Sequence, residues 1–246
     1  MSFYDEISKY YDEIFPAGEE QVSFIMEAAG NKAAKVLDIA CGSGTYSVAL
    51  AKEGYKVTAT DIEAEMIRKL KDKADRDKVD IEALVCSMTE LEDRLAQKYK
   101  VLFCIGNSLV HLKDVGEIEH ALKQMYNLAE PDGVVIIQIM NYDRIIRLGL
   151  KGLPTIINDE AGIEFKREYD YKPESKTIDF NTTLIVKDKG NIKTFKNTVE
   201  LLPLLSDELI DIVNKVGFKR YECYGDFKYS SYKDDSYMLV LKAFKG

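Results

Sequence analysis

The sequence predicts an α/β protein: a Rossmann-like, seven-stranded, mostly parallel sheet with helices on both faces, plus an inserted antiparallel β meander. Three observations predict it. Through the first two-thirds of the chain, short β-branched runs alternate with helical patterns, the signature of parallel strands joined by crossover helices. After about residue 158, period-two alternation between turn signals takes over, the pattern of antiparallel hairpins. The length of 246 residues, 46% hydrophobic and 31% charged, suits one large α/β domain or two small ones and argues against disorder.

The elements follow in order. Residues 35–39 (KVLDI) read as the first strand, 46–53 as a helix, 55–60 (YKVTAT) as the second strand, and about 63–74 as the next helix. Strands at 80–85, 101–105 and 133–140 continue the series, with helices between them. The meander comprises 163–171, 177–187 and 192–201, punctuated by Lys172-Pro173-Glu174-Ser175 and Asp188-Lys189-Gly190-Asn191. A helix capped by Ser206 with Glu208 carries Leu209, Ile210, Ile212, Val213 and Val216 and stops at Gly217. Strands at 218–224 and 236–242 complete the main sheet as its antiparallel edge. Ahead of all these, segment 3–15 (FYDEISKYYDEIF) is amphipathic, with apolar or aromatic residues at 3, 7, 10, 11, 14 and 15.

Composition excludes several function classes. Lys and Arg number 34 against 42 Asp and Glu, a net charge of −8 with no basic block, so no nucleic-acid partner is expected. No apolar run is long enough to span a bilayer, so no membrane partner is expected either. The acidic start of the chain lacks a secretory signal, and Cys41, Cys86, Cys104 and Cys223 are scattered without a CxxC pair. Buried free thiols in a cytoplasmic protein are the expectation, and with two histidines no metal site is expected.

In an open parallel sheet, ligands sit outside the carboxyl ends of the strands. The first such end, Val36-Leu37-Asp38-Ile39-Ala40-Cys41-Gly42-Ser43-Gly44-Thr45, runs from a strand through a small-residue turn into a helix. Gly42 and Gly44 permit positive φ and close ligand approach, although Gly-x-Gly alone also serves plain turn geometry. A dinucleotide site wants a third small residue and an uncharged strand end. Here Ser47 stands where the third glycine would be, and Asp38 would repel a pyrophosphate but attract an ammonium. Asp61, ending the second strand, is placed to accept hydrogen bonds from two ribose hydroxyls. A zwitterionic tail near Asp38 and a ribose on Asp61 describe S-adenosylmethionine.

Residues 36–44 (VLDIACGSG) and 57–66 (VTATDIEAEM), with the order and spacing of five parallel strands, resemble the class I S-adenosylmethionine-dependent methyltransferases. The resemblance covers essentially the whole chain. It implies that Ala40, Gly42 and Gly44 line the methionyl part of the cofactor, with Cys41 also in the cofactor set, that Asp61 binds the ribose, and that Ile62 and Met66 pack near the adenine. Ser87 stands where many members place an acidic residue for the adenine amino group, leaving the Met88 backbone N–H to read the ring. Ile105, Gly106 and Asn107, after the fourth strand, complete the implied cofactor set. A Tyr-Asp pair in the leading helix covers the cofactor in related enzymes; Tyr11-Asp12 matches best, and Tyr4-Asp5 is a second match.

The stretch after the fourth strand lacks the Pro-Pro tetrapeptide of base and glutamine methyltransferases. With Asn141-Tyr142-Asp143, it is similar to the glycine N-methyltransferase branch, which implies a small-molecule acceptor near Asn107, His111, Asn141 and Tyr142. The arginine that precedes Asn-Tyr-Asp in that branch and grips the substrate carboxylate is Met140 here, so glycine itself does not carry over. His111 reads either as a general base or, better, as a residue that caps or packs the next helix. Tyr229 and Tyr232 are the aromatic pair most suited to an acceptor pocket. On this reading residues 1–246 form one domain: lid helices at 1–30, a cofactor-binding core at 31–157, the antiparallel insertion at 158–202, and a last helix and two strands at 203–246. The function expected is methyl transfer to a nitrogen or oxygen of a small acceptor. The competing readings are a non-catalytic module that binds the cofactor or its product, and a nicotinamide oxidoreductase.

Overall fold

The computed structural model describes residues 7–188 and 191–246. The chain begins with helices α1 (Tyr11–Ile14) and α2 (Glu19–Ala29), then alternates β1 (Lys35–Ile39), α3 (Thr45–Lys52), β2 (Lys56–Asp61), α4 (Ala64–Asp77) and β3 (Ile81–Val85). It continues through α5 (Leu91–Arg94), β4 (Tyr99–Cys104), a 3-10 turn (Leu109–His111), α6 (Val115–Leu128), β5 (Ala129–Met140) and α7 (Tyr142–Leu148). Strands β6 (Gly152–Asn158), β7 (Ile163–Lys172), β8 (Thr177–Asp188) and β9 (Asn191–Leu201) precede α8 (Ser206–Val216), β10 (Arg220–Tyr224) and β11 (Met238–Phe244). The pair Tyr4-Asp5 lies outside the described residues.

The main sheet has seven strands in the order β10-β11-β5-β4-β1-β2-β3, and β11 is the strand that runs against its neighbours. Alternation along the strands explains why helices cover both faces. Leu102 and Cys104 of β4 join Leu37, Ile137 and Ile139 under α6 and α8, whereas Val101 and Phe103 join Val36 and Ile136 under Phe24 and Ile25 of α2. Residues 133–140 of β5 are buried throughout, as a central strand with both faces covered must be. Crossovers run from β1 toward β2 in one direction and toward β4 in the other. The strand order therefore reverses between β1 and β4, which opens a crevice at their carboxyl ends.

The second sheet, β6-β7-β8-β9, is antiparallel and has one strand more than the sequence pattern predicts. Gly152 and Pro154 interrupt the alternation of β6, and its pairing with β7 is irregular between Leu153 and Ile156. Pro154 is tolerated because β6 is an edge strand. The inner face of this sheet bridges two regions. Ile163, Phe165, Leu184 and Val186 pack on Ile7 and Ile14, while Tyr169 and Ile178 join the main core.

Two end effects differ from expectation. Glu208, not Ser206, caps α8, accepting the Leu205 N–H at 3.0 Å, while the Ser206 N–H donates to Asp143 Oδ2 at 2.8 Å. After Gly217 (φ +113°), the Phe218 N–H turns back to the Val213 carbonyl, so β10 starts only at Arg220. Asn141 caps α7 by accepting the Arg144 N–H at 3.0 Å and clips the loop before β11 by donating to the Ser236 carbonyl at 2.9 Å. Loss of a cap and of a buried donor should make Asn141→Ala about 1–3 kcal/mol less stable by urea denaturation. An unchanged midpoint would contradict that structural role.

Candidate functional site

The crevice between β1 and β4 opens into a cavity of about 310 Å³. Its floor is Asp38, Ala40 and Cys41 from the end of β1 with Ile105, Gly106 and Ser108 after β4. Its cover is Tyr11, Ile14, Phe15 and Pro16. Thr45 and Tyr46, at the start of α3, close one side.

The turn after β1 is held from beneath. The Cys41 N–H donates to the Thr60 carbonyl at 2.9 Å, and the Gly42 N–H donates to Asp61 Oδ2 at 2.7 Å. Gly42 and Gly44 have φ of +55° and +75°. A Cβ on Gly42 would lie 2.8 Å from the Tyr11 hydroxyl, and one on Gly44 would lie 2.2 Å from Leu70 Cδ1. Both positions therefore require glycine, one for the covering tyrosine and one for packing on α4.

Two buried carboxylates define the electrostatics. Asp38 is 3% exposed and accepts the Ser47 hydroxyl at 2.6 Å. Ser47, in place of a third glycine, thus supports the carboxylate. Burial raises the Asp38 pKa to about 7, opposed by the Ser47 hydrogen bond. Asp61 also has its pKa raised, chiefly by burial, against backbone N–H donors from Glu63 and Gly42. Both Asp61 oxygens are engaged, Oδ1 by the Glu63 N–H at 2.9 Å, yet each carboxylate oxygen keeps a second lone pair. Ile62, beside it, is 67% exposed. The Tyr11 phenol is held protonated, its pKa raised by burial and by Asp61.

The covering helix is pinned to the turn. Asp12 Oδ1 accepts the Ser43 hydroxyl at 2.5 Å and the Lys73 ammonium at 2.6 Å, and Lys73 also donates to Ser43 at 2.8 Å. The Tyr11 ring lies 5.1 Å from Phe15, and Phe15 meets Phe165 of β7 edge-on at 5.8 Å.

Of the expected cofactor residues, Tyr11, Asp38, Ala40, Cys41, Ile105 and Gly106 line this crevice, whereas the expected acceptor residues scatter. Met66 is buried on α4 and Met88 packs against the main core; the Ser87 hydroxyl pairs with Thr89 at 2.8 Å. The Asn107 side chain, at φ +70°, accepts the Met140 N–H and bonds the Tyr142 hydroxyl, both at 2.9 Å. Tyr142 is fully buried, and both ends of the Asn141 amide are spent on backbone. Tyr229 stacks on Phe24 at 4.7 Å in the opposite core and does not line the crevice. Tyr232 lines a separate cavity of about 870 Å³ with Asp143, Tyr171 and Ser206. The 3-10 turn leaves His111 exposed and outside the lining of the crevice. The sequence reading missed Phe15, Pro16, Thr45 and Tyr46, although each directly continues a motif it used.

A family model described as "Methyltransferase domain" matches residues 36–133. A glycine/sarcosine N-methyltransferase of Aphanothece halophytica is 25% identical over 241 residues, 97% of this chain and 86% of the relative. Residues 36–133 thus match a methyltransferase domain, and nearly the whole chain is similar to S-adenosylmethionine-dependent methyltransferases. Two solved structures share its fold. The CcbJ methyltransferase from Streptomyces caelestis superposes with a TM-score of 0.82 at 23% identity, covering 99% of this chain and 97% of that one. An S-adenosylmethionine-dependent methyltransferase from Clostridium acetobutylicum ATCC 824 also reaches 0.82, at 15% identity with 99% of both chains covered.

The methyltransferase's cofactor is S-adenosylmethionine, and the crevice fits it. Asp38 is a buried carboxylate beside an open cavity, the backbone at Ala40, Gly42 and Gly44 is left-handed, and an exposed isoleucine follows Asp61. No described helix is long and apolar enough to cross a membrane.

A carboxyl whose folded pKa lies above its unfolded value favours folding while protonated. Asp38 should therefore cost cofactor-free stability progressively as pH rises from about 4 toward 7, with no further loss above. Asp38→Asn should flatten that fall in thermal unfolding followed from pH 4 to 8. An identical fall in the variant would show that other groups cause it.

Proposed function

We propose that the enzyme N-methylates a small amine within the covered crevice. The observation that carries this reading is the enclosure of the crevice. An apolar cover of Ile14, Phe15 and Pro16 closes over a lining that contains Asp38 but neither Lys nor Arg, which suits a small amine and not a phosphate chain. The glycine/sarcosine N-methyltransferase relative supports nitrogen as the acceptor atom.

In this reading Asp38 holds the ammonium of the methionyl tail, with Ser47 fixing its orientation. Asp61 offers its free lone pairs to the ribose diol, and Ile62 packs on the adenine. Ala40, Cys41 and Gly42 let the backbone approach the chain that links them. Bound S-adenosylmethionine supplies an electrophilic methyl on a sulfonium. The protein's part is to align the acceptor nitrogen with that methyl and to exclude water, since positioning accounts for much of the rate and charge disperses during transfer. Tyr11, protonated and packed over Gly42, presents a phenol ring and hydroxyl to a bound cation. Asp12, tied to Ser43 and Lys73, keeps that lid registered with the glycine turn. No side chain serves as a base, because a neutral amine needs none.

Three outcomes follow. Asp61→Ala should weaken S-adenosylhomocysteine binding by about 1.5–3 kcal/mol in calorimetry; unchanged affinity would remove its ribose role. Affinity should fall by up to about tenfold per unit as pH drops below 7, because Asp38 must shed a proton to bind an ammonium. That dependence should vanish in Asp38→Asn, and its persistence there would assign it elsewhere. Transfer of labelled methyl to small amines should give N-methyl products. Label confined to hydroxyl acceptors would refute the nitrogen assignment.

A further inference from the structure

Along β7, odd-numbered residues face inward and build the roof: Ile163, Phe165, Arg167, Tyr169 and Tyr171. Arg167 is the charged member of this row. Its neighbours by register are Leu153 on β6 and Thr182 on β8, neither of them acidic. Glu164, Glu168 and Asp170 alternate with it and so occupy the other face. Among the described residues Arg167 has no ion pair. Nη2 donates to the Pro154 carbonyl at 2.7 Å, while Nε is buried without a partner.

Its position is bracketed on both sides. Two residues before it, Phe165 contacts Phe15, which lines the cofactor crevice. Two residues after it, Tyr169 lies close enough to Tyr142 for the phenols to interact, and Tyr142 bonds Asn107 in the loop after β4. Arg167 also senses Tyr169 and Tyr237, the latter adjoining the β11–β5 pairing at Met140. Arg167 thus lies on the inner face of the roof between the residue that meets the lid and the residue that meets the core. A half-buried guanidinium lacking a carboxylate is an incomplete pair, and desolvation pulls its pKa below the ordinary value. Its planar fork matches a carboxylate.

We infer that Arg167 is a specificity-determining residue that receives a carboxylate of the acceptor, so that the substrate class is amines bearing a carboxylate. This inference rests on the proposed N-methylation. It assigns the anion contact to the roof sheet, since the position before Asn141 is Met140, a neutral thioether.

The test uses the full chain with tritium-labelled S-adenosylmethionine and paired acceptors: glycine and glycinamide, β-alanine and β-alaninamide, 4-aminobutanoate and 4-aminobutanamide. In the wild type the carboxylate member of at least one pair should be preferred in kcat/KM by about tenfold or more. Arg167→Met should erase that preference mainly through KM, and Arg167→Lys should restore part of it. Both variants should bind S-adenosylhomocysteine as the wild type does in calorimetry. The inference is overturned if amides serve as well as carboxylates, if Arg167→Met keeps the preference, or if cofactor affinity falls in parallel. Failure of every amine to accept a methyl would refute the amine reading instead. Arg167 is then judged by thermal shift of the S-adenosylhomocysteine complex with acetate and benzoate: stabilisation lost in Arg167→Met upholds the anion site, and no difference overturns it.

Discussion

The site depends on one buried hydrogen bond, from the Gly42 N–H to the Asp61 carboxylate at 2.7 Å. It joins the turn after the first strand to the end of the second, and so converts two adjacent strand ends into a single rigid edge. The same carboxylate takes the Glu63 N–H at the entry to the next helix. With its position fixed by two backbone donors, the carboxylate keeps one lone pair on each oxygen. The glycine turn gains a definite height, so that a tyrosine can lie over it and a serine can reach the lid.

From that edge the structure builds outward in two shells. Asp12, Ser43 and Lys73 connect lid, turn and the fourth helix, which places an ion pair at the margin of the site and leaves the interior to Asp38. The antiparallel roof then leans on the lid through Phe15 and Phe165 and on the core through Tyr169. Lid, roof and core are therefore mechanically continuous. A shift of the lid would be felt by the strand that carries Arg167.

Much of this was legible in the sequence, for physical reasons. Strand–helix alternation reports local burial, and it located β1 to its last residue and the other core strands to within a few residues. Asp38, Gly42, Gly44 and Asp61 stood out because they put charge and glycine at fixed spacing on two strand ends, which the fold brings side by side. The acceptor side was less so. Asn141 and Tyr142 read as binding residues, but one is spent capping a helix and the other is fully buried, facts set by tertiary packing. Tyr229 read as a pocket aromatic, whereas its ring closes the opposite core against Phe24. The edge strand β6 escaped notice because Gly152 and Pro154 break its pattern. Arg167 was hidden because an arginine in an alternating strand ordinarily faces solvent. Period-two alternation nevertheless puts it on the face of Phe165 and Tyr169.

The central claim is that the β1–β4 crevice holds the cofactor by its two ends, with Asp38 on the ammonium and Asp61 on the ribose. A crystal structure with bound S-adenosylhomocysteine tests it most directly. The account predicts the ammonium within hydrogen-bond distance of Asp38, both ribose hydroxyls on Asp61, and the sulfur facing the space beneath Tyr11. A ligand seated elsewhere, or one whose ribose makes no contact with Asp61, would contradict it.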